Sequence, residues 1–191
     1  MVVAFPVAGG YKIKQMKSIK IRYQQIKDAR RFVEILRHPD FVDFPAKPES
    51  IEKEKQFLRQ GLKLRKKGME YGFSIIHKGQ VIGAVGLKVD QHRKYIGEIG
   101  YFVDREYWGR GIASAAVGLV ERFAFDRLHI RRTEIVTLKT NAASQRVAEK
   151  CGYHKEGIQK GKLRFDGKYL DACLFAKTLA QVPEKQAWPA P

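Results

Sequence analysis

"YFVDREYWGRGIASAAVGLVERFAF", residues 101–125, joins an apolar run to a small-residue helix through Gly109-Arg110-Gly111. An α-helix begins with backbone N–H groups that have no intrahelical partner, and its aligned peptide dipoles add partial positive charge there. Such an end attracts anions. Glycines at 109 and 111 let backbone approach a ligand with no Cβ in the way, Arg110 adds a cation, and Ala113, Ser114 and Ala115 keep the first turn slim. A phosphate or pyrophosphate fits that arrangement, and so, on the Gly-x-Gly pattern alone, does a plain tight turn. No Gly-Lys-[Ser/Thr] follows, which argues against a Walker loop, and no third glycine completes a dinucleotide fingerprint.

The elements on either side set the fold class. Upstream, "KYIGEIGYFVD" (94–104) alternates as a strand, and "YGFSIIHKGQVIGAVGLKV" (71–89) reads as two strands about Lys78-Gly79, giving an antiparallel meander. "SIKIRYQ" (18–24) is a further half-buried strand. Two helices lie between. "KDARRFVEILRHP" places Ala29, Phe32, Val33 and Leu36 on one face and ends at Pro39, and the next has Ser50 as N-cap, early glutamates, late basic residues and Gly68 as its stop.

Downstream of the glycines, a helix over about 111–126 is followed by the strand "RTEIVTL" (132–138). Strand, helix and strand in one sheet imply a parallel pair with a right-handed crossover, so 95–103 and 132–138 are expected side by side. "NAASQRVAEKCGY" is a fourth helix capped by Asn141 and stopped by Gly152, and Asp166-Gly167 divides two alternating runs as a hairpin turn. The expectation is a mixed α/β domain: one mostly antiparallel sheet of about seven strands, a central parallel pair and four helices. It spans 18–180, with an N-terminal extension (1–17) and a Pro-containing mobile tail (181–191).

Composition narrows the partners. The 191 residues include 44% hydrophobic residues, enough for a substantial core, and carry a formal net charge of +17, which points to an acidic partner such as nucleic acid, ribosome or a phosphate-rich ligand. Cys151 and Cys173 are too few for a disulfide framework. The N-terminal run "MVVAFPVAGGYKIKQMK" puts its apolar residues before its lysines, the reverse of a secretory signal, and no stretch approaches the roughly 20 apolar residues of a membrane span. A cytoplasmic protein without membrane contact is expected. Histidines 38, 77, 92, 129 and 154 are scattered, so no metal is assigned.

"GEIGYFVDREYWGRGIASAA", followed at the right distance by "TLKTNAASQRVAEKCGYHKEG", resembles the GNAT superfamily of N-acetyltransferases, particularly its ribosomal-protein N-terminal (RimJ/RimL-like) branch, over residues 18–180. The family loop Gln/Arg-x-x-Gly-x-Gly/Ala falls on Trp108, Gly109, Arg110, Gly111, Ile112 and Ala113, with Trp108 departing from the usual first residue. The resemblance implies the GNAT acyl-CoA N-acyltransferase fold and acetyl-CoA as cosubstrate. The pantetheine arm would pair with backbone around Phe102, Val103 and Asp104. The pyrophosphate would sit over Gly109, Arg110, Gly111, Ile112, Ala113 and Ser114, and Asn141 would bond near the pantetheine or thioester.

Acetyl transfer to an amine needs a neutral nitrogen, yet α-amines titrate near about 8 and lysine near about 10, so a base must take a proton. The family match and its setting in an apolar strand make Glu98 the candidate base; the competing reading is a carboxylate paired across the sheet or exposed on a solvent face. Ser144, which the branch carries three residues after the Asn141 position, is the candidate donor to the CoA thiolate, or a helix-start residue bonding backbone. Tyr101 and Tyr153 are reserves, and a backbone N–H near Val103 is the expected oxyanion donor. The acceptor is a protein N-terminus, with ribosome contact, or a small amine such as an amino acid, polyamine or antibiotic. A non-catalytic RNA- or ribosome-binding module is the alternative of another class. The chain is a monomer, or a homodimer paired through the last hairpin or a meander edge.

Overall fold

A computed structural model describes residues 19–42, 44, 47–165 and 167–179; the extension at 1–17, the tail at 181–191 and Asp166 of the hairpin turn lie outside the described residues. The elements run β1 (Ile19–Tyr23), α1 (Ala29–Leu36), α2 (Ile51–Lys66), β2 (Glu70–His77), β3 (Gln80–Val89), β4 (Ile96–Val103), α3 (Ile112–Leu128), β5 (Arg132–Leu138), α4 (Ala142–Lys150), β6 (His154–Phe165) and β7 (Lys168–Thr178). Among the described residues the strands form one seven-stranded sheet in the order β1-β2-β3-β4-β5-β7-β6. Every pairing is antiparallel except β4 with β5. The last hairpin folds back so that β7, not β6, lies beside β5, which leaves β1 and β6 as the edges.

Local chemistry accounts for these boundaries. Lys78 and Gly79 both take positive φ, the conformation of a two-residue turn whose twist matches the strands it joins. Ser50 caps α2 by accepting the Lys53 N–H at 3.1 Å. The first helix starts at Ala29, the first residue of its apolar stripe, and a 3₁₀ turn over Ile26–Asp28 leads into it. Asp28, at 3% exposure, is held there by Arg22 through two contacts of 2.7 Å, by the Ser74 hydroxyl at 2.6 Å and by the Gln25 N–H at 2.9 Å. α3 extends to Leu128, past the expected end near 126, and His129 at φ 54 closes it.

The sheet is covered on both faces. Ile99 and Val103 of β4 join Ala116, Val117, Val120 and Ala124 of α3 and Ala148 of α4 in the main core. Phe102, between them in sequence and so on the other face, packs against Ala29, Phe32 and Leu58 of α1 and α2. No described helix is long and apolar enough to cross a membrane.

Candidate active site

The parallel ladder is short. It pairs Ile96 with Arg132, Gly97 with Thr133 and Glu98 with Glu134, after which β4 continues with β3 to Val103 while β5 continues with β7 to Leu138. The two strands therefore fork beyond Glu98. The Asp104 N–H donates to the Ile82 carbonyl at 2.8 Å, so even-numbered β4 residues bond towards β3. By the alternation of an antiparallel ladder, Ile99, Tyr101 and Val103 turn their N–H and C=O groups into the fork.

Three elements close around it. Gly109 (φ 71) and Gly111 (φ 74) take the left-handed conformation that glycine adopts without strain, and Gly111 is the N-cap of α3. The N–H groups of Ile112, Ala113 and Ser114 are thereby gathered at the positive end of a 17-residue helix. Asn141 caps α4 by accepting the Ser144 N–H at 2.9 Å, which turns the start of α4 towards β4. Phe41 and Phe44, from the chain after α1, supply the third wall. Together they bound a cleft of about 630 Å³.

Nine of the twelve residues proposed from the sequence line this cleft: Phe102, Val103, Gly109, Gly111, Ile112, Ala113, Ser114, Asn141 and Ser144. Glu98, Asp104 and Arg110 do not. The Asp104 N–H is committed to β3, and its carboxylate accepts from the Glu106 N–H and pairs with Arg31, so pantetheine pairing at that residue is replaced by a structural role. Arg110 is exposed, with its guanidinium 5.4 Å from the centre of the Tyr107 ring. Glu98 lies at the last rung before the fork, on the face of α1 and α2, about 13 Å along the strand from Phe102 at the rise of an extended chain. Glu98 is exposed, as the competing reading of a carboxylate on a solvent face expects; even so, desolvation by its surroundings raises its carboxyl above the ordinary value, with Lys88 and Lys162 pulling it down and Glu134 adding to the rise.

Trp108 serves a purpose its sequence position hides. Its indole N–H donates to the Val103 carbonyl at 2.7 Å, and its ring meets Phe41 edge-on at 5.5 Å. It pins the free end of β4 to the glycine turn. Trp108→Phe keeps the ring contact and removes the hydrogen bond, and is expected to lower stability by about 1 kcal/mol in urea denaturation.

Two cations went unnoticed in the sequence. Arg146 and Lys150 of α4 also line the cleft, and Lys150 Nζ lies 3.7 Å from where a Cβ on Gly111 would stand. Their i, i+4 spacing on the helix that carries Asn141 and Ser144 was the available signal. Of the reserve tyrosines, Tyr101 lines the cleft, with its hydroxyl 2.9 Å from Ser144 Oγ, and burial pushes its phenol up to about 12. Tyr153 is buried in the sheet core, donating to Thr133 Oγ1 at 2.8 Å, which removes it as a donor. Burial also pushes the Cys151 thiol up to about 11, so its alkylation by iodoacetamide at neutral pH is expected to be slow in the native protein and fast in urea.

Comparison with known proteins gives this geometry a family. Residues 19–154 match the model described as acetyltransferase (GNAT) domain. The chain is 29% identical over 178 residues to the putative ribosomal N-acetyltransferase YdaF of Bacillus subtilis, covering 87% of this chain and 94% of that one. It is 25% identical over 168 residues to the L-amino acid N-acetyltransferase AaaT of Escherichia coli, covering 85% and 99%. The crystal structure of ribosomal-protein-S5-alanine acetyltransferase from Vibrio fischeri superposes with a TM-score of 0.76 at 25% identity, over 86% of this chain and 94% of that one. A forked parallel pair, a glycine-capped helix at its mouth and a family match across most of the described residues lead to one assignment: the chain belongs to the GNAT acetyltransferase family, similar to its ribosomal-protein (RimJ/RimL-like) branch, and is an acetyl-CoA-dependent acyltransferase.

Proposed function

We propose that the protein transfers the acetyl group of acetyl-CoA to the N-terminal α-amine of a protein, of the ribosomal-protein kind, by direct attack of the amine. The observation that carries the reading is that the glycine-capped start of α3, the cations Arg146 and Lys150 and the open edge of β4 all face one cleft. The residues fit the cosubstrate. The amides at 112–114 and Lys150 suit the pyrophosphate, the backbone of Tyr101 suits the amides of the pantetheine arm, and Ser144 lines the same cleft. Asn141 spends its side-chain oxygen on the cap and keeps its NH₂ group to donate. The Val103 N–H is the proposed oxyanion donor.

Glu98 is the proposed base. It stands on the α1/α2 face, from which an acceptor would approach a thioester lying in the fork, and at about 13 Å along the strand from Phe102 it would receive the proton through a chain of waters, since one water spans only two hydrogen bonds. A carboxyl raised above its usual value is a better proton acceptor at neutral pH, and it works only when ionised. The rate is therefore expected to fall as pH drops through that raised value. Glu98→Gln is expected to reduce kcat/KM by about 10²- to 10⁴-fold and to abolish this acid limb.

The relatives favour a protein acceptor in YdaF and the Vibrio fischeri enzyme and an amino acid in AaaT. Two features support the protein acceptor. The net charge of +17 suits approach to a ribosome. Asp40, the one carboxylate among the described residues that line the cleft, is already paired with Arg105 at 2.5 Å, which weakens it as a receptor for a polyamine. Release of CoA thiol, measured over peptides varied at their first two residues and over amino acids, polyamines and aminoglycosides, tests the reading. Peptides should turn over with the higher kcat/KM. Faster turnover of small amines would transfer the assignment to them, and full activity of Glu98→Gln at every pH would remove the base. Salt-dependent RNA binding with no thiol release for any acceptor would overturn the proposal as a whole.

A further inference from the structure

Helix α2 and its C-cap Lys67 carry seven cations against two carboxylates. The carboxylates are spent. Glu54 is buried, and Glu52 is engaged by Lys55 at 3.2 Å and by Arg59 at 3.3 Å. Arg65 is occupied too, its guanidinium 4.0 Å from the centre of the Tyr23 ring. Lys53, Lys63, Lys66 and Lys67 remain, all exposed and none with a carboxylate partner among the described residues. At 3.6 residues per turn, Lys53, Gln56, Gln60, Lys63 and Lys67 fall on one outward stripe about 21 Å long, with Lys66 at its side. Phe57 stands 56% exposed on the flank of that stripe, four residues on from Lys53.

Helix stability explains only part of this pattern. Cations in the last turn complement the helix dipole, but Lys53 lies in the first turn, where a positive charge opposes it. A membrane surface fits poorly, because an interfacial helix needs a broad apolar face, and here Leu58 is committed to the core with Ala29 and Phe32. An acidic protein would satisfy the lysines and leave the phenyl ring without a partner. A single nucleic-acid strand supplies both, phosphates for the lysines and base faces for the ring. We infer that the outward face of α2 is a docking surface for single-stranded RNA, with Lys53, Lys63, Lys66 and Lys67 on backbone phosphates and Phe57 stacked on a base. The choice of RNA over DNA rests on the protein-acceptor reading above. α1 and α2 cover the sheet face from which the acceptor approaches, so a strand held there keeps the N-terminus of an RNA-bound protein close to the cleft.

Fluorescence anisotropy of a labelled single-stranded RNA of about 12 nucleotides and mixed sequence, titrated with the full chain in the absence of acetyl-CoA, tests the surface. Binding is expected at micromolar Kd in about 50 mM salt and about 50-fold more weakly in about 200 mM, the dependence that four phosphate contacts give. Combining Lys53→Gln, Lys63→Gln, Lys66→Gln and Lys67→Gln should weaken binding about 10-fold or more at the lower salt and flatten the log–log slope by about 0.7 for each cation removed. Glutamine keeps the helix propensity, so melting curves and peptide acetylation should match wild type. Phe57→Ala should weaken binding by about 5-fold or more with the slope unchanged. The same charge removed at exposed Lys94, Lys155, Arg164 and Lys168, the last three at the β6–β7 end of the sheet, should leave binding as it was. An equal loss in that control, or no binding at about 50 mM salt, would overturn the proposal. Tighter binding of polyglutamate, of phosphatidylserine vesicles or of DNA of the same sequence would overturn RNA as the partner, and an unchanged Phe57→Ala would remove the stacked base. Peptide turnover without RNA binding overturns this surface and leaves acetyl transfer standing, and RNA binding without turnover of any acceptor does the reverse.

Discussion

Asp28→Ala should destabilise the protein by about 3 kcal/mol, seen as a fall in melting temperature of roughly 6–12 °C. The carboxylate is almost fully buried and satisfies Arg22, Ser74 and the Gln25 N–H at once, so its removal leaves a guanidinium and two polar groups without their acceptor. Arg22 retains 25% exposure and can turn to solvent, which places the cost at the lower end for a broken buried pair. Desolvation alone would raise the Asp28 carboxyl, but the bonds from Arg22, Ser74 and Gln25 outweigh it and hold the group below the ordinary aspartate value. The sign follows from linkage. A folded-state value below the unfolded one contributes stability that is fully present above the unfolded value of about 3.9 and is lost as pH falls through the folded one. Urea midpoints of wild type and Asp28→Ala should therefore converge in strong acid. A variant within about 0.5 kcal/mol of wild type at neutral pH would show that the network adds little.

Gly111→Val should weaken acetyl-CoA by about 10- to 100-fold while leaving the fold intact. At φ 74 a β-branched residue is strained, and the backbone that relieves the strain is the one that aims the amides of 112–114. Losing one or two well-aimed donors to a charged group is worth about 1.4–2.8 kcal/mol, which sets the range. Gly109→Ala, at φ 71 with nothing within 4 Å of the new Cβ, should cost less. Calorimetric affinity with a melting curve for each variant separates lost binding from lost folding. Unchanged affinity in Gly111→Val would detach the glycine turn from the pyrophosphate.

The sequence was most legible where short-range chemistry decides. Ser50 and Asn141 name their helices, the Lys78-Gly79 signal names its turn, and the strand–helix–strand order over 96–138 names the parallel pair. The 3₁₀ turn ahead of α1 was not legible, because Asp28 is claimed by Arg22 and by Ser74, the latter 46 residues away, a contact no local pattern announces. Within the site, the glycine turn and Asn141 could be read from their residue types. Asp104 could not, because its N–H is taken by Ile82 from the neighbouring strand. The indole bond of Trp108 and the approach of Lys150 to Gly111 likewise arise between elements that meet only once the sheet has formed.

The forked strands carry a consequence for attempts to harden the molecule. From Ile99 to Val103, β4 has no partner on the β5 side, and the cleft lined by the starts of α3 and α4 opens there, so extending the β4–β5 ladder would take backbone groups from the cleft. Selection for heat resistance alone would reward substitutions that zip this seam, and each of them would shut the enzyme. Thermostable variants that stay active should instead gather their changes at the distant charged edge of β6 and in the outward faces of α2 and α3.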